Sequence, residues 1–186
     1  MASVIPFGSD QFRLRLTLDN PLPLVGDGRS PRPFDRYLAE LVRDKDERVC
    51  AFINAYFLRP RAVRGSYTRA AEVLGSKYLA RVCLEALDAS GRVLEHIEDA
   101  LDGAMIDVYV FDGMNIVEED ASRPVLRGIF VRELLSSLSR GVDGFFINAP
   151  EVDFVFWRDT LGARKIDDFI VALGGRPLPV YPRRSG

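Results

Sequence analysis

Asp107 and Tyr109 stand two residues apart in a segment that alternates apolar and polar side chains, so both fall on one face of a strand with Val108 on the other. A carboxylate there works as a general base only if burial raises its pKa towards neutrality. On an exposed strand face it is simply a solvated charge. Further on, Arg123 and Arg127 lie four apart, which puts both on one face of a helix. Ser122 reads as that helix's N-cap, and Pro124 sits in the first turn, where its missing N–H costs nothing. Two guanidinium groups beside the free N–H groups of a helix start suit the diphosphate of a phosphorylated ligand. The plain alternative is a solvated pair balanced by Glu118, Glu119 or Asp120. Asp112, Glu118 and Glu119 are weaker candidate bases, expected to face solvent.

Other reactive groups carry less. His96 is the single histidine and has no Ser, Cys or Asp constellation near it in sequence, so neither a metal site nor a catalytic triad is expected. Cys50 and Cys83 are far apart and lack a CxxC spacing. Buried free thiols in a reducing compartment are expected rather than a disulfide framework or zinc site. Arg59, Arg61, Arg64 and Arg69 form the densest basic patch, with Tyr56 and Tyr67 near it. It would contact nucleic acid or merely line a solvated loop. Phe145, Phe146, Phe154, Phe156 and Trp157 suit either a substrate pocket or core packing.

The elements that must position these groups follow from hydrophobic period and turn residues. Phe12 to Leu18 alternates as a half-buried strand, and the proline-rich stretch from Pro21 to Pro33 reads as a loop. Apolar groups at Phe34, Leu38, Leu41 and Val42 predict a helix. Glu47 to Leu58 is almost uniformly apolar; period does not separate helix from strand there, and helix is the reading taken. Arg59 to Gly65 reads as a loop and Ser66 to Leu74 as a helix stopped by Gly75. Lys77–Asp88 and Arg92–Leu101 read as a hairpin around Ser90-Gly91. Ala104 to Val117 is a third strand, with a bulge or kink at Asp112-Gly113. A helix from Ser122 to Gly141, a strand from Val142 to Asn148 and a helix from Glu151 to Leu161 come next. Strands at Ala163–Leu173 and Leu178–Tyr181 close the chain.

A length of 186 residues with 47% hydrophobic and 28% charged side chains fits a single domain over residues 1–186. A net charge of −2 gives no global pull towards nucleic acid or an anionic membrane. All 25 basic residues except Lys45, Lys77 and Lys165 are arginine, a bias that base composition of the genome explains as readily as phosphate recognition does. No basic-then-apolar leader opens the chain, and no run of 18 apolar residues occurs. A cytoplasmic location without membrane contact is the expectation.

The run of meander, helix, strand, helix and closing hairpin resembles the GNAT acyltransferase superfamily over about residues 77–183. Phe154-Val155-Phe156-Trp157-Arg158-Asp159-Thr160-Leu161-Gly162-Ala163 looks like the family segment that ends in Leu-Gly-Phe, and Arg127-Gly128-Ile129 before Leu134-Leu135 looks like the start of its cofactor helix. The resemblance implies an α/β (α+β) fold built on a mixed, mainly antiparallel sheet flanked by helices. It also implies transfer of an acyl group from acetyl-CoA or another acyl-CoA to an amine, on a small molecule or a protein, without a metal. Arg123, Arg127, Gly128 and Ile129 would then bind the cofactor, and Asp107 with Tyr109 would border the active cleft. Phe130 stands in the glycine-rich part of the motif, and Arg158 stands where many members have a proton-donating tyrosine. Those two departures fit a second reading, a non-catalytic module that binds a protein partner. A third reading is a nucleic-acid-associated protein acting through the Arg59–Arg69 region.

Overall fold

The computed structural model describes residues 3–6, 12–19, 33–58, 64–117, 123–138, 142–149, 151–167 and 171–174. Among them are eight strands: β1 (Ser3–Pro6), β2 (Phe12–Leu18), β3 (Phe34–Arg43), β4 (Arg48–Leu58), β5 (Val108–Ile116), β6 (Gly144–Ile147), β7 (Arg164–Lys165) and β8 (Val171–Gly174). Five helices accompany them: α1 (Arg64–Leu74), α2 (Lys77–Glu85), α3 (Glu95–Ala100), α4 (Arg123–Leu138) and α5 (Glu151–Leu161). The strands form one sheet in the order β1-β2-β3-β4-β5-β6-β8-β7. Only β5 and β6 are paired in parallel; the other pairs are antiparallel. Parallel neighbours need a crossover, and α4 supplies it. The expected mixed, mainly antiparallel sheet with flanking helices is therefore present.

Four elements differ from expectation. Phe34–Arg43 and Arg48–Leu58 are strands, not helices. In β3 the apolar positions satisfy both periods, and pairing along its whole length with β2 and β4 decides the outcome. β4 is central, with Cys50, Ala51, Ile53 and Ala55 in one core and Tyr56 and Leu58 in the other, so it carries apolar residues on both faces and reads as a run without clean alternation. The reverse error occurs at Lys77–Asp88 and Arg92–Leu101, which hold helices α2 and α3. Leu79, Val82, Cys83 and Ala86 are buried at helical spacing, and so are Val93, Ile97 and Leu101. Of the expected hairpin there remains the turn at Ser90-Gly91 and a single bridge between Leu87 and Val93. The order is thus four antiparallel strands in succession followed by three helices, rather than helices before a meander.

The expected strand at Phe12–Leu18 and the helix at Glu151–Leu161 are present residue for residue. Arg64 and Gly65, expected in a loop, open α1. The single strand expected at Ala163–Leu173 is divided into β7 and β8, which pair with each other. Ser122, most of the Pro21–Pro33 loop, the Arg59–Arg61 run, Gly141 and the Leu178–Tyr181 strand lie outside the described residues.

The sheet separates two cores. On one face α1, α2 and α3 cover Phe34, Tyr56, Val108, Val110 and Phe146. On the other, α4 and α5 cover Leu14, Ile53, Phe111, Phe145 and Ile147, with Trp157 fully buried among them. α5 ends where Gly162 takes φ +74, and the N–H groups of Gly162 and Ala163 donate to the carbonyls of Arg158 and Trp157. Only glycine enters that left-handed cap at little cost. Beside α1 and α2, half-buried side chains of β2, β3 and β4 (Arg15, Arg36, Leu38, Phe52 and Asn54) form a shelf on the sheet.

Candidate functional site

β5 and β6 pair from Val108–Gly144 to Phe111–Ile147, and the Asn148 N–H donates to the Phe111 carbonyl at 2.8 Å. Beyond that point β6 has ended, while β5 runs on to Ile116 hydrogen-bonded to β4. The two parallel strands part there. The parting coincides with the expected bulge: Asn54 faces Asp112 and Phe52 faces Asn115, so Gly113 and Met114 of β5 stand against the single residue Ile53 of β4. Gly113 lies in the bulge with φ +69, a conformation that strains any residue with a Cβ.

Asp112 sits at this fork. Its side chain shares the α1–α3 face with Val108 and Val110, as period two requires. Its Oδ2 accepts from the Ser76 hydroxyl at 2.5 Å, and its Oδ1 accepts from the Asn148 side-chain amide at 2.8 Å. Ser76 is buried and is also the N-cap of α2, its Oγ accepting the Leu79 N–H at 3.0 Å. One serine thus ties a helix start to the sheet and presents the positive end of α2 to a carboxylate. Both direct partners of Asp112 are neutral, and among the described residues no cation lies within ion-pair distance of it.

Around Asp112 lies a polar set. Asn54, its cross-strand neighbour, accepts from Arg36 Nε at 3.3 Å and Nη2 at 3.1 Å. Arg36 Nη1 stands 3.7 Å from the exposed carboxylate of Asp19. The Tyr56 phenol lies among Arg36, Asp112, Asp19 and Ser76; burial pushes its pKa up, against the opposing pull of Arg36. Tyr78 follows Ser76 by two residues, its hydroxyl buried beside the backbone of Val171 and Ile147 and without a partner in hydrogen-bonding geometry among the described residues. Burial, reinforced by Asp112 and Asp167, raises that phenol and keeps it neutral.

The residues singled out from sequence are not gathered at one point. Asp107 precedes β5; its N–H donates to Asp143 at 2.9 Å, and its carbonyl accepts the Asp143 N–H at 2.7 Å. β5 is nine residues long, about 30 Å at the rise of a strand, and the crossover helix α4 starts beyond its far end. Asp107 and Arg123 therefore stand at opposite ends of the strand. Tyr109 is buried under α4 and α5, its ring stacked on Phe145 at 6.2 Å and 5.1 Å from Phe57. Burial raises its phenol pKa, with Tyr37 and Asp35 adding to the rise. Arg127 lies in the seam between α4 and α5, its guanidinium 5.6 Å over the Phe156 ring. Arg123 opens α4, and its side chain is outside the described residues. Gly128 and Ile129 are half-buried on α4, and a Cβ on Gly128 would meet nothing within 4 Å among the described residues. Packing does not demand glycine there, although glycine inside a helix costs about 1 kcal/mol relative to alanine.

Phe130 is fully buried in the core beneath α4, directed away from the helix's outer surface. Arg158 is exposed, bonded to Asp159 at 2.7 Å and 5.9 Å over the Phe154 ring. His96 is exposed on α3, and Cys50 and Cys83 are buried free thiols. No helix among the described residues is long and apolar enough to cross a membrane. No protein-family model, curated protein or solved structure matches the chain.

Proposed function

We propose that the chain is an acyl-CoA-dependent N-acyltransferase of GNAT-like build, with its reacting centre at the fork between β5 and β6. The observation that carries this reading is Asp112. A half-buried carboxylate at the parting of two parallel strands, held on both oxygens by neutral donors and with no cation in ion-pair distance among the described residues, is suited to receive an amine. Clefts at the carboxyl ends of parallel strands are also where sheets of this kind bind ligands. The order β5-α4-β6-α5 followed by the β7–β8 hairpin supports the family resemblance, as does the bulge in the strand before α4.

In this reading an extended pantetheine arm lies along β5 where β6 has ended. The diphosphate lies at the first turns of α4, with Arg123, Arg127, Gly128 and Ile129 around it. The amine nitrogen attacks the thioester carbon; the C–N bond forms, the C–S bond breaks, and the nitrogen's proton passes to Asp112. The leaving thiolate takes its proton from solvent, because Arg158 has none to give. Tyr109 packs beneath the strand and supports its course, and Asp107 fixes its start. Phe130, which from sequence favoured a non-catalytic module, lies inside the core and takes no space from a ligand.

Thermal unfolding with and without acetyl-CoA, CoA and a longer acyl-CoA tests this. Specific binding at a hundredfold excess over Kd stabilises by about 2.7 kcal/mol. The Arg127→Glu variant should weaken that binding at least about tenfold. No shift with either thioester or with CoA would overturn the reading.

A further inference from the structure

We propose that α1 and α2 form a helix-turn-helix unit that docks on double-stranded DNA, with α2 in the major groove and α1 against the flanking phosphates. This surface is separate from the acyl-transfer reading and does not rest on it. α1 ends at Leu74 and α2 begins at Lys77, so two residues make the connection. Gly75 takes φ +70, and the N–H groups of Gly75 and Ser76 donate to the Glu72 and Ala71 carbonyls at 3.0 and 3.3 Å. That closure ends a helix on a left-handed residue and turns the chain at once. Ser76 then caps α2 and bonds Asp112 on the sheet. Tyr67 and Ala71 of α1 share a core with Leu79, Val82 and Cys83 of α2, so both helices are fixed on one sheet face. Two helices joined by a short glycine-bearing turn enter a DNA groove when their outer surface suits a polyanion.

The outer surface of this pair does. Arg69 and Val73 stand one turn apart on the exposed side of α1, and Lys77 and Leu84 two turns apart on the exposed side of α2. Arg81 lies between Lys77 and Leu84 on that stripe, half-buried and bonded to Glu85 at 2.8 Å. Between Glu47 and Glu85 the sequence holds seven basic residues against one acidic residue, Glu72, in a chain of net charge −2. The rest of the chain, with 18 basic and 26 acidic residues, stands at −8. Positive charge is thus gathered in the stretch that builds the two helices, and the acidic remainder turns phosphate away from the rest of the molecule.

The side chains of the unit select a duplex. Single strands are held by bases stacked on exposed aromatic rings, and the two aromatic residues here face inwards: Tyr67 is 1% exposed and the Tyr78 hydroxyl is buried. The large exposed apolar groups are instead aliphatic, Val73 and Leu84, of the kind that meets thymine methyl groups. An RNA duplex has a major groove too narrow for side chains to read. That of B-DNA is about 12 Å wide and admits a helix about 10–12 Å across. With nine residues, α2 is about 14 Å long, enough to lay Lys77 and Leu84 along one groove.

Fluorescence anisotropy of a labelled, mixed-sequence DNA duplex titrated with the full chain tests this, at salt from about 50 to 200 mM. Binding should appear at the low end and weaken steeply as salt rises. The double variant Arg69→Glu with Lys77→Glu should bind at least about tenfold more weakly, with a log–log salt slope shallower by about two. Lys45→Glu with Lys165→Glu makes the same change in net charge at exposed sites elsewhere and should leave the affinity nearly unchanged. No binding at about 50 mM salt, or equal losses in the two double variants, would overturn the proposal. So would equal affinity for single-stranded DNA or duplex RNA, or for polyglutamate or phosphatidylserine vesicles at matched charge, since the last two would mark a surface for any anionic partner. That series of competitors uses the unaltered protein, so it decides the matter even if a variant fails to fold. DNA binding without a thermal shift from any acyl-CoA would sustain the helix pair and sink the transferase reading; the opposite result would do the reverse.

Discussion

Asp112 joins two roles in one side chain, because the groups that hold it also hold the fold. Substituting asparagine keeps the shape and one acceptor oxygen but removes the negative charge. Asp112→Asn should lower acyl transfer by about a hundredfold, the lower end of what a general base supplies, with a small change in melting temperature. Equal rates in the two proteins, measured by thiol release, would exclude Asp112 as the base. A second residue-scale expectation concerns Cys83, whose thiol is pushed up to about 12 by burial. Iodoacetamide at mild alkaline pH should label it only as fast as the protein opens, so labelling should accelerate steeply in denaturant; prompt labelling of native protein would contradict its burial. The face that carries Asp112 was legible in the alternation of β5, which sets Asp112 with Val108 and Val110 and opposite Tyr109. Its chemistry was not. Both donors to Asp112 lie 36 residues away, one on either side in the chain, and only the fold brings Ser76 and Asn148 to the same carboxylate.

At the scale of the element, α2 shows how a local signal was available and outweighed. Ser76 ahead of apolar residues at helical spacing marks a helix start, yet the apolar Tyr78–Ala80–Val82–Leu84 alternation reads as a strand. Leu84 settles the matter, since it is exposed in the helix while Leu79, Val82 and Cys83 are buried. β3 failed in the opposite sense because its residues, rich in good helix formers, follow both periods and only its neighbours choose between them. By contrast α5, with Gly162 just beyond it, carried its own boundaries. Two substitutions test these elements. Ser76→Ala removes the cap of α2 and the short bond to Asp112, and should destabilise by about 1–2 kcal/mol. It should also loosen Asp112 and depress transfer in parallel. Gly162→Ala forces a Cβ into the left-handed cap and should cost about 1 kcal/mol without touching activity. Urea unfolding of both variants beside their turnover separates a helix end that serves the site from one that serves only the fold.

For the whole molecule, chain order did not convey that the parallel β5–β6 pair divides the sheet into a four-strand antiparallel block and a closing hairpin. Pairing is set by contacts distant in sequence, and the strand readings alone left them open. The same two-sided arrangement buries acidic hydrogens on both faces: Cys83, Tyr56 and Tyr78 beneath the first helical layer, Tyr109 beneath the second. Each has its pKa raised chiefly by burial. In the unfolded chain a cysteine ionises near 8.5 and a tyrosine near 10. Between those values and the higher folded ones the native state binds more protons than the unfolded state, so stability falls as pH rises. The contribution of Cys83 is whole below about pH 8.5 and is lost up to about 12; that of the tyrosines starts to be lost only above about pH 10. The melting temperature should therefore hold steady through neutral pH, decline from about pH 9 and steepen above pH 10. Cys83→Ala should flatten the first part of the decline and leave the steeper part, at a slope of at most about 1.4 kcal/mol per pH unit per group. A melting temperature unchanged to pH 11 would mean that these groups ionise in place, and that water reaches both faces of the sheet.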